Sequence, residues 1–218
     1  MSNQVGEKVE FRPITSKDAE TVRTIVFMAK LTDKHGEIRS KLTKSYEKNS
    51  SDIEVAFAFG LFNLLAIEKD DMMVSKMNIE NALEAFDSII LKEPGYWLVR
   101  MLKSRLLLML PSSVRYEEEV IEELESMIEI QKNSQYQPYF IIPYILLAEF
   151  YHSGGHKEKA EKYIKEAEEL KREPVKILQD FLVLPFVSLE NKLVSSGEYE
   201  MANRILGLGR DLFPDQYN

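Results

Sequence analysis

Two stretches of this chain read alike: Ile141-Ile142-Pro143-Tyr144-Ile145 and Val183-Leu184-Pro185-Phe186-Val187. The offset is 42 residues, from Pro143 to Pro185, and it continues without a gap. Leu147 falls on Leu189, Ser153 on Ser195, Gly155 on Gly197 and Glu158 on Glu200. Ala160 falls on Ala202, Ile164 on Leu206 and Ala167 on Gly209. Each shared position has a helical role. Apolar residues recur at three- and four-residue spacing, which gathers them on one face. The glycine breaks between two helices. The small residues at 160/202 and 167/209 let the second helix lie close to the first.

On the N-terminal side of these segments the periodicity stays helical nearly throughout. Ser16 is the expected cap of a helix carrying Ala19, Val22, Ile25, Val26 and Ala29 on one face. Gly36 ends or kinks it, and Ile38, Leu42 and Tyr46 continue the pattern. Asn49-Ser50-Ser51-Asp52 is a turn and cap cluster. Helices are then expected over 53–69, 72–91, 96–110, 116–130, 141–152, 157–171, 175–195 and 199–213. Lys92-Glu93-Pro94-Gly95 and Pro111-Ser112-Ser113 are the clearest stops. The one extended-looking piece is Val9 to Thr15, and Pro13 limits it to an edge or a tethered arm. Helix after helix with no strand alternation predicts an all-α fold.

At this point the two aligned segments resemble tetratricopeptide repeats (TPR), helix–turn–helix repeats of roughly 34 residues. Tyr144, Leu147-Ala148, Tyr151, Gly155, Ala160, Ile164 and Ala167 stand at the family's spacings. So do Phe186, Leu189, Gly197, Tyr199, Ala202, Leu206, Gly209 and Pro214. Ser196-Gly197-Glu198-Tyr199 is similar to the family's inter-helix turn. The 42-residue offset then holds about eight inserted residues, expected as a longer helix from Val175. Ala82, Phe86, Ile89 and Pro94 match a second repeat helix more loosely, and Met1 to Ser51 carries no signature. The resemblance implies a right-handed helical-hairpin solenoid of about four TPR-like units, clearest at 141–174 and 183–216. The array would span 52–218, with 1–51 as an N-terminal arm and helix that caps or docks.

Composition narrows the function. The 218 residues hold 28 Lys+Arg against 36 Asp+Glu, a net charge of −8, with no cysteine and three histidines. Zero cysteine removes disulfides, thiol nucleophiles and cysteine-ligated metals. The acidic balance disfavours a nucleic-acid binder. Met1 to Glu10 has no apolar core of a secretory signal. The most apolar run, Ile53 to Ile67, carries Glu54 and Asn63 and is too short for a membrane span, so it reads as a buried helix. A cytoplasmic location is the default expectation.

No catalytic constellation stands out, and no cofactor or metal site is expected. His152 and His156 are four apart but flank Ser153-Gly154-Gly155, so they read as solvated turn histidines. Gly207-Leu208-Gly209 follows no strand and reads as helix packing, not a phosphate loop. Phe11 to Glu20 looks like the opening of acyl-CoA-dependent N-acetyltransferases, but their later glycine loop is missing. Glu117-Glu118-Glu119 with Glu122, Glu123, Glu125 and Glu129 could recruit a basic partner, or simply form a solvated face.

The TPR resemblance implies a concave groove lined by the first helix of each hairpin. Its positions here are Ile142, Ile145, Glu149, His152 and Ser153, then Leu184, Val187, Asn191, Val194 and Ser195. Only Asn191 agrees with the subclass that clamps a C-terminal carboxylate, and Glu149 would repel an acidic tail. The mixed lining suits an apolar, amphipathic or basic segment of a protein or peptide partner. Tyr96 and Trp97 are expected to be buried instead of lining the groove. The expectation is therefore a non-enzymatic interaction module, an adaptor, scaffold or assembly factor. The alternatives are a peptide-sensing regulator or chaperone masking an apolar segment, or a subunit that self-assembles as a homo-oligomer through its C-terminal repeat.

Overall fold

A computed structural model describes residues 9–67, 72–110 and 117–217. The expected stop at Pro111-Ser112-Ser113 lies outside those residues. The described chain is all-α, and its one β-type contact is an isolated parallel bridge between Arg12 and Tyr96. It forms two compact units that divide between Leu106 and Leu107. The sequence suggested a boundary after Ser51; the helices on either side of that point belong to the same unit.

The first unit holds α1 (Ser16–Ala29), α2 (His35–Lys48), α3 (Ile53–Leu65), α4 (Met72–Lys92) and most of α5 (Trp97–Met109). α1 is capped one residue earlier than expected. Thr15 accepts from the Asp18 amide (3.1 Å), and the Asp18 carboxylate accepts from the Thr15 amide (2.8 Å). That reciprocal box satisfies two free helix-end donors, which Ser16 cannot do from inside the first turn. Gly36 sits in the first turn of α2, after a short 3-10 turn at Thr32–Lys34. α3 is apolar on all sides, starts on Asp52, which accepts from the Glu54 and Val55 amides, and buries Phe57, Phe59, Leu61 and Phe62. α1, α2 and α4 all pack on it. Tyr46 of α2 stacks on Phe59 at 4.5 Å. Among the described residues, no helix is long and apolar enough to cross a membrane.

The arm expected at Val9 to Thr15 is tethered. The Arg12 amide donates to the Gly95 carbonyl (2.8 Å). The Arg12 guanidinium lies 3.5 Å over the Tyr96 ring and pairs with Glu93 and with Asp18 (3.3 Å). The Tyr96 hydroxyl donates to the same Asp18 carboxylate. Burial first, and that carboxylate second, push the hydroxyl well above the ordinary phenol range. Tyr96 and Trp97 are both fully buried, as expected.

The second unit holds the rest of α5, then α6 (Glu117–Lys132), α7 (Ile142–Ser153), α8 (Lys157–Glu169), α9 (Gln179–Leu182), α10 (Leu184–Ser195) and α11 (Tyr199–Leu212). α7 packs on α8, α10 on α11, α10 on α7, and α11 on α8. The backbone repeats at the offset read in the sequence. Pro143 and Pro185 each open their helix. Gly155 and Gly197 share a φ of 78°. The His156 amide reaches the Tyr151 carbonyl at 2.8 Å, and the Glu198 amide reaches Leu193 at 2.8 Å. Both glycines sit where a side chain is strained. Gly155→Ala and Gly197→Ala should therefore each cost about 1 kcal/mol in chemical denaturation. A near-zero effect at either would show that the two turns are not equivalent.

The insertion between the hairpins differs from expectation. Residues 170–178 are irregular, and only the four-residue α9 precedes α10. Leu178 takes a left-handed conformation (φ 51°), which stops a helix from running through it. The segment is fastened elsewhere: the buried Val175 donates its amide to the Leu212 carbonyl (2.8 Å) at the end of α11. Gly209 also has a different neighbour from the one its spacing suggested. The Tyr217 ring fills the space a Cβ would occupy there.

Candidate functional site

The ten groove positions fall into two classes. On α7, Ile142 and Ile145 are fully buried, and Glu149 nearly so. Ile142 and Ile145 belong to the core and do not line an accessible groove; their spacing sets the face but not what covers it. Glu149 is held from α10, where Ser188 donates to it (2.7 Å) and Lys192 pairs with it (2.7 Å). The expected repulsion of an acidic tail is thereby offset by Lys192. Lys192 also donates to the exposed Ser153 hydroxyl (3.1 Å).

On α10 the five positions are open. Leu184, Val187 and Val194 are 38%, 39% and 44% exposed, and Asn191 and Ser195 are exposed between and beside them. The opposite face carries Phe186, Leu189 and Leu193, which are fully buried. α10 is thus amphipathic in reverse of a simple surface helix: one apolar face enters the core and a second stays outside. Tyr199, 64% exposed at the start of α11, adds an aromatic that the groove pattern missed. Its exposure had no signal in the repeat spacing, which assigns that position to the inter-helix turn.

His152 does not behave as a solvated turn residue. Its ring is buried, with Nε2 3.1 Å from Ser196 Oγ and 3.4 Å from Glu198 Oε1. Lys157 pairs with the same carboxylate oxygen at 2.8 Å. The Lys157 hydrogen bond and the nearby His152 hold the Glu198 carboxyl below its usual range, against the opposing effect of burial. A serine, a histidine and a glutamate meet here, but in the wrong order for nucleophile activation. The relay needs the carboxylate on the ring nitrogen opposite the serine. Here both approach Nε2, and Nδ1 is buried without a partner. The group instead joins the end of α7 to the turn before α11. His156 lies exposed.

A second interhairpin tie lies between α8 and α11. Arg204 donates to both oxygens of Glu168 (2.8 and 2.7 Å) and approaches Glu161 at 3.7 Å. The hydrogen bond from Arg204 holds the Glu168 carboxyl below its usual range. A depressed carboxyl contributes stability above its unfolded pKa and loses it as pH falls through the folded value. Arg204→Ala should thus lower the melting temperature at neutral pH. The gap from the parent should narrow as pH falls below the ordinary carboxylate range and through the depressed Glu168 value. A gap unchanged by acid would show that Arg204 acts by packing alone.

The acidic run on α6 is only partly a solvated face. Glu123 is buried on the core side, while Glu122, Glu125 and Glu129 border an open cleft of about 600 Å³ shared with Glu166, Lys162 and Tyr163 of α8. Lys132 pairs with Glu129 (3.1 Å) and Lys162 with Glu166 (3.5 Å), which offsets half of the cleft's charge. Burial, then Tyr151 and Glu125, push the Tyr163 hydroxyl up to about 12. No group of three or more His, Cys, Asp or Glu that could hold a metal occurs among the described residues. No family model, curated protein or solved structure matches this chain.

Proposed function

We propose that the chain is a non-catalytic protein-interaction module of the TPR-like helical-repeat kind, and that its contact face is the outer side of α10. The observation that carries this reading is the open apolar stripe Leu184, Val187 and Val194, set on a helix whose other face is core. The repeated hairpins α7–α8 and α10–α11 support it, since such pairs present first-helix faces to partners. The groove is shorter than the repeat pattern alone suggests, because Ile142 and Ile145 are buried. An adaptor or assembly role follows from a face that offers contact but no reacting group. The neutral chemistry of the stripe suits an apolar or amphipathic helix.

A photo-crosslinking side chain placed at Val187 should capture a discrete protein in the native cell. Val194→Asp in the same molecule should cut the yield at least about tenfold, as a charge buried at a small interface demands. Val187→Asp should likewise abolish binding while leaving the melting temperature within about 1–2 °C, because the site is on the surface. A partner still bound by a chain carrying both Val187→Asp and Val194→Asp would place the binding face elsewhere, with the α6–α8 cleft the next to test.

A further inference from the structure

The chain after α11 turns back on its own hairpin. Phe213 is fully buried. Gln216 then donates its amide to the Phe213 carbonyl (2.9 Å) and its side chain to Asp180 of α9 (2.6 Å). The tip of the Tyr217 ring rests on the α11 backbone: a Cβ at Gly209 would lie 2.5 Å from Cζ and 2.7 Å from the hydroxyl oxygen. Glycine inside a helix is destabilising, and the residue 42 positions earlier is Ala167. Gly209 therefore opens a slot that an aromatic ring fills. The fit fails at one atom. The Tyr217 hydroxyl is buried without a hydrogen-bond partner. We propose that residues 214–217 are a releasable strap over this slot, and that a partner segment bearing a phenylalanine displaces Tyr217 from it. This site does not depend on the outer stripe of α10 being a contact face.

The strap is lightly held. Among the described residues, its hydrogen bonds beyond Phe213 both come from Gln216, which is exposed. Val175, 42 residues before Tyr217, is held quite differently: it is fully buried, and its amide is bonded to Leu212. The slot also disfavours the side chain it holds. A hydroxyl buried without a partner loses its hydration and gains nothing in return. Burial first, and Glu190 of α10 second, push that hydroxyl up to about 12. A phenylalanine keeps the ring and omits the unsatisfied oxygen, so it is the better ligand. Tyr217 keeps the slot closed only because its tether supplies a high local concentration.

The test empties the slot and refills it from outside. The probes are peptides of residues 214–218 with tyrosine, phenylalanine or alanine at the Tyr217 position, added to the full chain carrying Tyr217→Ala. The Gly209 amide resonance should shift saturably with the two aromatic peptides and not with the alanine one. The phenylalanine peptide should bind at least about fivefold more tightly than the tyrosine peptide. The parent chain, with its own Tyr217 in place, should bind both at least about tenfold more weakly. Adding Gly209→Ala to Tyr217→Ala should abolish binding while leaving the melting temperature equal or higher, since alanine is the better helix former. Without any peptide, Tyr217→Phe should slow hydrogen exchange at the Gln216 amide at least about fivefold, and Gly209→Ala should speed it. The proposal is overturned if neither aromatic peptide shifts Gly209 saturably, or if all three peptides bind equally. Tighter binding of the tyrosine peptide would overturn it as well, because the hydroxyl would then have a partner.

Discussion

Gly95→Ala is expected to destabilise the first unit by about 2–3 kcal/mol, lowering its melting temperature by roughly 8–24 °C. The reason is a backbone contact. A Cβ at Gly95 would lie 1.7 Å from the Glu10 carbonyl oxygen and 2.7 Å from its carbon. Neither neighbour is the far end of a flexible side chain, so the arm itself must move. When it moves, the Arg12 amide loses the Gly95 carbonyl, and the Arg12 guanidinium leaves Glu93, Asp18 and the Tyr96 ring. Asp18 then stays buried with one fewer positive partner, which is costly for a carboxylate. The check is a double-mutant cycle with Arg12→Ala. If Gly95→Ala detaches the arm, adding Arg12→Ala should cost almost nothing more. Additive losses would mean that the arm stays docked by other contacts.

Parts of this architecture were legible in the sequence, and the reasons are local. The α7–α8 and α10–α11 hairpins are read correctly because the turn glycines, the opening prolines and the apolar spacing each act within one turn of themselves. The arm was legible as far as Pro13, which forbids a central strand. Its partner was not, because Gly95 lies about eighty residues away and nothing in its own neighbourhood distinguishes a stop from a docking slot. The insertion, which the spacing predicts as helix, shows the same limit. Val175, Ile177 and Leu178 have helical spacing with Phe181 and Leu182, yet Val175 is spent on a hydrogen bond to Leu212 and Leu178 turns left-handed. A long-range contact overrode the local pattern.

The candidate face was legible by half. Repeat register selects one side of α7 and one side of α10, but burial depends on what lies across from each. Glu149 could have been flagged. A carboxylate at one repeat position and a lysine at the neighbouring position of the next hairpin, Glu149 and Lys192, is a charge pair across the repeat. No comparable sign marks Ile142 and Ile145 as covered while Leu184 and Val187 are open, since all four are apolar and equally spaced.

Phe186→Ala should have the largest effect in the second unit, about 3–5 kcal/mol, because it removes a fully buried aromatic and leaves a cavity. The Phe186 ring meets the Phe213 ring edge-on at 5.4 Å, and Phe213 is itself fully buried. Such a pair contributes beyond its buried area. Phe213 also anchors the residues just after α11: its carbonyl accepts from the Gln216 amide (2.9 Å), and Tyr217 covers Gly209. Loosening Phe213 should therefore expose that segment to protease before the unit unfolds globally. Phe186→Leu should recover part of the loss, since it keeps most of the volume but not the ring pair. The informative comparison is with the adjacent Val187→Asp, expected to be nearly neutral for stability. One residue along a helix is a rotation of about 100°, so the two substitutions report on different faces. If Val187→Asp unfolds the unit and Phe186→Ala is tolerated, α10 is rotated about its axis, and the stripe assigned to a partner is in truth the core.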